Sequence, residues 1–154
     1  MSQAIESEHR AGRSVMRIPA NVDELSGLRQ FVRRQGTQAG ADPGAVADIV
    51  QAVDESVTNT IVHGYRGDGG TVEVEVERSG KSLVVRLRDH APAFDPTLVP
   101  MPDITAPLGE RPLGGMGVFL MRELTDAMTY QRTRHGNELT LVKDWISREG
   151  GETC

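Results

Sequence analysis

The chain has 154 residues, a formal net charge of −5, 38% hydrophobic and 25% charged residues. This is the size and balance of one globular domain with a sizeable core, and the acidic surplus argues against nucleic acid, which needs a basic face. No apolar run approaches the roughly 20 residues of a membrane span, and the polar start has no signal-peptide core, so a cytoplasmic protein without membrane contact is expected. The one cysteine, Cys154, is the last residue, which leaves no disulfide or cysteine metal cluster within the chain.

Residues 1–13 read as a loose tail, 14–146 as the domain and 147–154 as a second tail. A strand is expected over 14–20, with Val15, Met16 and Ile18 apolar. Asn21 then looks like a helix cap, with Glu24 three residues later completing a capping-box pattern, and Leu25, Leu28 and Val32 recur at helical spacing. The stretch 36–44, with glycine at both ends, is expected to break that helix. Asp42-Pro43 marks a second start, a cap followed by proline at the first helical position. Val46, Ile49, Val50, Val53, Val57 and Ile61 form one apolar stripe, and Gly64 is the expected stop of this longest helix.

A hairpin follows. Val72, Val74 and Val76 alternate with Glu73, Glu75 and Glu77; Leu83, Val85 and Leu87 alternate with Val84, Arg86 and Arg88. A turn at Ser79-Gly80 pairs Val76 with Leu83, and moving it to Gly80-Lys81 keeps the same faces together. Either register makes an antiparallel sheet with one apolar and one charged face. Residues 96–112 hold five of the eight prolines and show no periodicity, the mark of a functional lid or a disordered segment. Gly114, Gly115 and Gly117 lead into a helix over 118–126. Strands near 128–133 and 138–143 are joined by a turn at His135-Gly136-Asn137. This order of elements indicates an α+β two-layer sandwich.

Three segments carry chemistry. Glu55 and Asn59 lie four apart on the long helix, nearly opposite the valine stripe, so both side chains can point at one ligand. Asn is a poor mid-helix residue, which suggests that this face meets something other than water. Asp89, at a strand end in Arg88-Asp89-His90-Ala91-Pro92-Ala93-Phe94, can accept a hydrogen bond from an exocyclic amine such as that of adenine. The glycines of 114–117 stand before a helix whose free N–H groups suit phosphate oxygens. Other signals fail. Gly80-Lys81-Ser82 resembles the end of a P-loop, but position 75 is Glu where glycine is required. His9, His63, His90 and His135 show no metal-ligand spacing, and no nucleophile elbow is present.

Taken in order, the three segments resemble the boxes of the anti-sigma-factor serine/threonine kinases, a family of GHKL (Bergerat-fold) ATPases. Glu55-Ser56-Val57-Thr58-Asn59-Thr60-Ile61-Val62-His63-Gly64-Tyr65 is similar to the N box, Asp89 to Phe94 to the G1 box, and Gly114 to Gly117 with Val118-Phe119-Leu120-Met121 to the G2 box. The resemblance covers roughly residues 15–145. It implies a two-layer α/β sandwich whose mixed, mostly antiparallel sheet has helices on one face, with ATP and Mg2+ as cofactors. It implies that Glu55 is the general base, that Asn59 binds magnesium and cofactor, and that Asp89 reads adenine. Ala93 in the G1 box and Gly114, Gly115, Met116 and Gly117 in the G2 box become cofactor contacts. Arg111 becomes a cation of the lid near the phosphates, and Thr140 the threonine beside adenine. The family often has glycine where Ala91 stands, which bears on local backbone shape. The expected substrate is a STAS-domain anti-anti-sigma protein, with a sigma factor as second partner and a homodimer as the assembly. The rival readings are a non-catalytic ATP-dependent binding switch and a STAS kinase serving a pathway without a sigma factor.

Overall fold

The structure, a computed structural model, describes residues 6–10, 12–100 and 115–145. The strands are β1 (Glu6–Arg10), β2 (Arg13–Pro19), β3 (Thr71–Ser79), β4 (Ser82–Asp89), β5 (Ala127–Thr133) and β6 (Gly136–Asp144). The helices are α1 (Leu25–Ala39), α2 (Pro43–Asn59) and α3 (Gly115–Leu124). The strands form a six-stranded sheet in the order β1-β2-β3-β4-β6-β5. Every described pair is antiparallel, where a mixed sheet is the expectation. Connectivity explains this. Two helices between β2 and β3 return the chain to the end it left. The single crossover through α3 does make β4 and β5 parallel, but β6 lies between them.

β1 corrects the reading of 1–13 as a tail, since Glu6 to Arg10 pair with Arg17 to Arg13. Its sequence, ESEHR, has no apolar alternation to mark a strand; an edge strand is held by backbone pairing on one side. Residues 1–5 and 11, the bulk of the expected lid and the end of the chain from 146 lie outside the described residues.

Asn21 caps a single 3-10 turn, Val22–Glu24, its side chain accepting from Asp23 N, and α1 begins only at Leu25. Gly36 does not end α1. It is buried, and a Cβ there would meet Leu83 Cδ1 and Val46 Cγ2, each at 3.2 Å. Glycine instead lets the helix approach the sheet and α2. The stop is Gly40, left-handed at φ 100°, its N–H directed to the Gly36 and Thr37 carbonyls. The cap of α2 is as expected, with Asp42 Oδ2 accepting from Ala45 N at 3.2 Å and Pro43 in the first turn.

The hairpin uses the Gly80-Lys81 turn, since Ser79 pairs with Ser82, Val76 with Val85 and Val74 with Leu87. The last hairpin pairs Thr133 with Gly136, so its turn is Arg134-His135, and Gly136 and Asn137 belong to β6. Val72, Val74, Val76, Leu83, Val85, Leu87, Leu139 and Leu141 face the helices. They pack with Leu28, Phe31, Ile49, Val53 and Val57, each of which stabilises the fold by about 1.5–3 kcal/mol when buried. The opposite face is an ionic lattice: Arg88 meets Glu73, Glu75 and Glu138, and Arg86 meets Glu75 and Glu77.

Candidate functional site

The site lies where α2 loses its regular geometry. After Asn59 the helix widens into one π-turn, Thr60–Gly64, closed by Tyr65 N donating to Thr60 O at 2.8 Å. Such insertions cluster at functional sites because they re-aim side chains. Here the turn carries Thr60 toward the end of β4. Gly64 faces Ala91, and a Cβ on Gly64 would stand 3.0 Å from the alanine methyl. The two residues interlock, which accommodates alanine in the G1-like segment.

Asp89 ends β4 on the apolar side of the sheet. Its Oδ1 accepts from Ala91 N at 2.9 Å and from Asn137 Nδ2 at 2.8 Å, while Thr60 Oγ1 lies 3.5 Å from Oδ2. Asn137 is a hub. Its Nδ2 also donates to the carbonyls of Ala91 and Pro92, and its Oδ1 accepts from Phe94 N, Arg132 Nη1 and the Tyr130 hydroxyl. The start of β6 comes close to Asp89: Gly136 has φ 147°, and a Cβ there would overlap the Asp89 carbonyl oxygen at 1.9 Å. Tyr65 ties the π-turn to the sheet. Its hydroxyl donates to Thr71 O at 2.8 Å and accepts from His90 N at 2.7 Å. Burial raises its pKa, the two hydrogen bonds opposing that effect.

These groups border a cleft of about 1030 Å3. Leu87, Met121 and Leu139 supply its apolar floor, and Asn59, Thr60 and Asp89 its polar points. Apolar lining together with an oriented acceptor suits an aromatic base with an amino group. α3 packs across α2. A Cβ on Gly117 would lie 3.1 Å from Glu55 Oε2 and 3.3 Å from Asn59 Nδ2, so only a glycine backbone passes there without displacement. The first turn of α3 thus stands directly over the glutamate and the asparagine.

A model of the histidine kinase-like ATPase domain matches residues 18–143. The chain belongs to this family. Among relatives of the ATPase domain, a Bordetella bronchiseptica serine/threonine-protein kinase, BtrW, is 29% identical over 61% of this chain and 67% of its own length. A Clostridium kluyveri anti-sigma F factor is 26% identical over 64% of this chain and 69% of its own. A Bacillus cereus serine-protein kinase, RsbW, is 25% identical over 87% of this chain and 85% of its own. A solved structure of the RsbU and RsbW domains of a Mycobacterium tuberculosis protein superposes with a TM-score of 0.56 at 21% identity. That match covers 84% of this chain but 32% of the longer one, and it bears on the α+β fold.

Within this ATPase domain the expected site residues separate. Asn59, Asp89 and Ala93 line the cleft, and Glu55 lies beside it under Gly117, with Gln51 Nε2 donating to its Oε1 at 3.3 Å. Gly115 and Met116 form the first turn of α3. Arg111 and Gly114 lie outside the described residues. Thr140 is a correction. It pairs with Arg86, so its side chain projects onto the charged face, away from the cleft; Asn137 and Leu139 are the β6 residues inside. Sequence reading missed Thr60, Asn137, Tyr65 and Tyr130. Thr60 adjoins Asn59 with no pattern that marks it, and Gly136-Asn137 has the composition of a turn.

Among the described residues no helix is long and apolar enough to cross a membrane. None of them forms a group of three or more His, Cys, Asp or Glu side chains able to hold a metal.

Proposed function

We propose that this chain is an ATP- and magnesium-dependent serine kinase that phosphorylates a STAS-domain anti-anti-sigma protein, and that it also sequesters a sigma factor. The observation that carries the reading is the convergence at Gly117, where Glu55 and Asn59 meet the first turn of α3 beside a cleft that Asn59 and Asp89 both line. The kinase and anti-sigma names of the relatives support it. Bound ATP would supply the γ-phosphoryl group, with Mg2+ neutralising its charge. Asp89 would accept from the adenine amine, the side-chain oxygen of Asn59 would ligate the metal, and N–H groups at the start of α3 would receive phosphate oxygens. Glu55 would take the proton of the substrate serine as its oxygen attacks phosphorus, which leaves phosphoserine and ADP. Arg111, Gly114 and the segment through 112 belong to this reading as the phosphate side of the site. A homodimer and a cytoplasmic location belong to it as well.

The test is radiolabelled phosphate transfer to a STAS protein of the same cell, run beside nucleotide titration. Glu55→Gln should bind Mg-ATP like the parent yet transfer phosphate about 10²–10⁴-fold more slowly. Asn59→Ala should lose magnesium-dependent binding. A Glu55→Gln protein that transfers at the parental rate removes Glu55 as the base. A parent that binds ATP but labels no STAS partner supports the non-catalytic switch.

A further inference from the structure

Thr60 opens the π-turn with its hydroxyl between two acceptors, the Ser56 carbonyl at 3.2 Å and Asp89 Oδ2 at 3.5 Å. A hydroxyl carries one proton and can rotate it. The Ser56 carbonyl already receives the Thr60 N–H, so the hydroxyl can leave it without orphaning it. On the other side, Asp89 Oδ1 is occupied by Ala91 N and Asn137 Nδ2, which leaves Oδ2 as the oxygen with spare accepting capacity. Both Thr60 and Asp89 line the cleft. A ligand there meets an acceptor and, one hydrogen-bond length away, a rotatable donor.

That pair has a definite chemical match. On its pyrimidine edge adenine presents a donor, the 6-amino group, beside an acceptor, ring nitrogen N1. Guanine reverses both, with an acceptor O6 beside a donor N1–H. Asp89 Oδ2 with the Thr60 hydroxyl complements adenine; against guanine the carboxylate meets the acceptor O6, whereas the hydroxyl can turn to accept from N1–H, so rejection of guanine rests on Asp89 and recognition of N1 on Thr60. Resting on the reading that the cleft binds ATP, we propose that Thr60 is a second reader of the base. Its hydroxyl donates to adenine N1 while Asp89 Oδ2 accepts from the 6-amino group, and Asn137 holds the carboxylate in position for both.

The test uses the full chain, magnesium, and titration with ATP, GTP and 1-deaza-ATP, in which N1 is replaced by C–H. The parent should bind 1-deaza-ATP about fivefold more weakly than ATP, the size of one neutral hydrogen bond. Thr60→Val keeps the shape and removes the hydroxyl; it should bind ATP and 1-deaza-ATP equally while still rejecting GTP, since the Asp89 carboxylate remains. Thr60→Ser should restore the difference, which a merely structural role would not do. A parent that binds ATP and 1-deaza-ATP equally overturns the proposal, without needing any variant to fold. So does a Thr60→Val protein that still separates them by the parental factor. If the parent binds no ATP at all, the underlying nucleotide reading falls and takes the proposal with it, so the two failures are distinguishable.

Discussion

Replacing Asn137 by alanine should loosen the part of the cleft around Asp89. The side chain is 8% exposed and makes six polar contacts. Some partners survive its loss. Asp89 Oδ1 keeps Ala91 N, the Ala91 carbonyl keeps Arg132 Nη1, and the exposed Phe94 and Pro92 can turn to water. The largest losses are one of the two bonds to the Asp89 carboxylate oxygen, worth about 2 kcal/mol as a bond to a charged group, and that of the Tyr130 hydroxyl, about 1 kcal/mol. The sum of about 3 kcal/mol, at about 2–4 °C per kcal/mol for a domain of this size, lowers the melting temperature by about 6–12 °C. Asn137→Asp isolates the chemistry. It keeps shape and accepted bonds, but faces Asp89 with a second carboxylate, a repulsion of about 4 kcal/mol at roughly 4 Å and an effective dielectric constant of ~20. It should melt lower than the alanine variant at pH 7. Thermal melts of nucleotide-free protein decide the matter. An Asn137→Ala protein melting within about 2 °C of the parent, less than 1 kcal/mol, would refute the reasoning that this residue is a structural hub.

Gly117→Ala should separate stability from binding: the better helix former keeps the melt within about 1 kcal/mol of the parent. Its methyl crowds Glu55 and Asn59, so Mg-ATP affinity should fall, and titration showing parental affinity would contradict the close crossing. The Arg86 guanidinium holds the Glu77 carboxyl below its ordinary value. A depressed folded value contributes stability that is complete above the unfolded value and lost as pH falls, so Glu77→Gln should flatten the acid side of stability measured by urea unfolding between pH 7 and pH 3. Tyr65→Phe removes the bonds to Thr71 O and from His90 N and should cost about 1–2 kcal/mol. Because burial raises the phenol's value, its contribution is present below the unfolded value near 10 and lost at higher pH, so this variant should also lack the parent's decline on the alkaline side.

Much of the layout was legible in the chain. Asp42-Pro43 set the start of α2, the valine stripe set its buried face, and alternation in 72–77 and 83–88 set which side of the sheet meets the helices. These signals are local: a cap satisfies its own helix's N–H groups, and a period of two or 3.6 residues reports a buried face whatever lies against it. Thr140 was legible too. It stands between Leu139 and Leu141, so alternation assigns it to the outer face beside Glu138, a pattern that the family resemblance overrode.

What the sequence determined by itself is therefore the type and facing of each long element, and the order of three segments that resemble the boxes of the family. Tertiary structure alone decided which elements are neighbours and how their ends meet. β1 has no apolar pattern because an edge strand is fixed by backbone pairing. The insertion of β6 between β4 and β5 follows from packing, since periodicity does not encode strand order. The near contact of Gly136 with the Asp89 carbonyl and the passage of Gly117 over Glu55 and Asn59 are meetings of residues distant in the chain, and the π-turn at Thr60–Gly64, though local, is marked by no periodicity. A glycine reads as a turn or a helix break until the atom that needs its missing Cβ is in place, and that atom lies on another element.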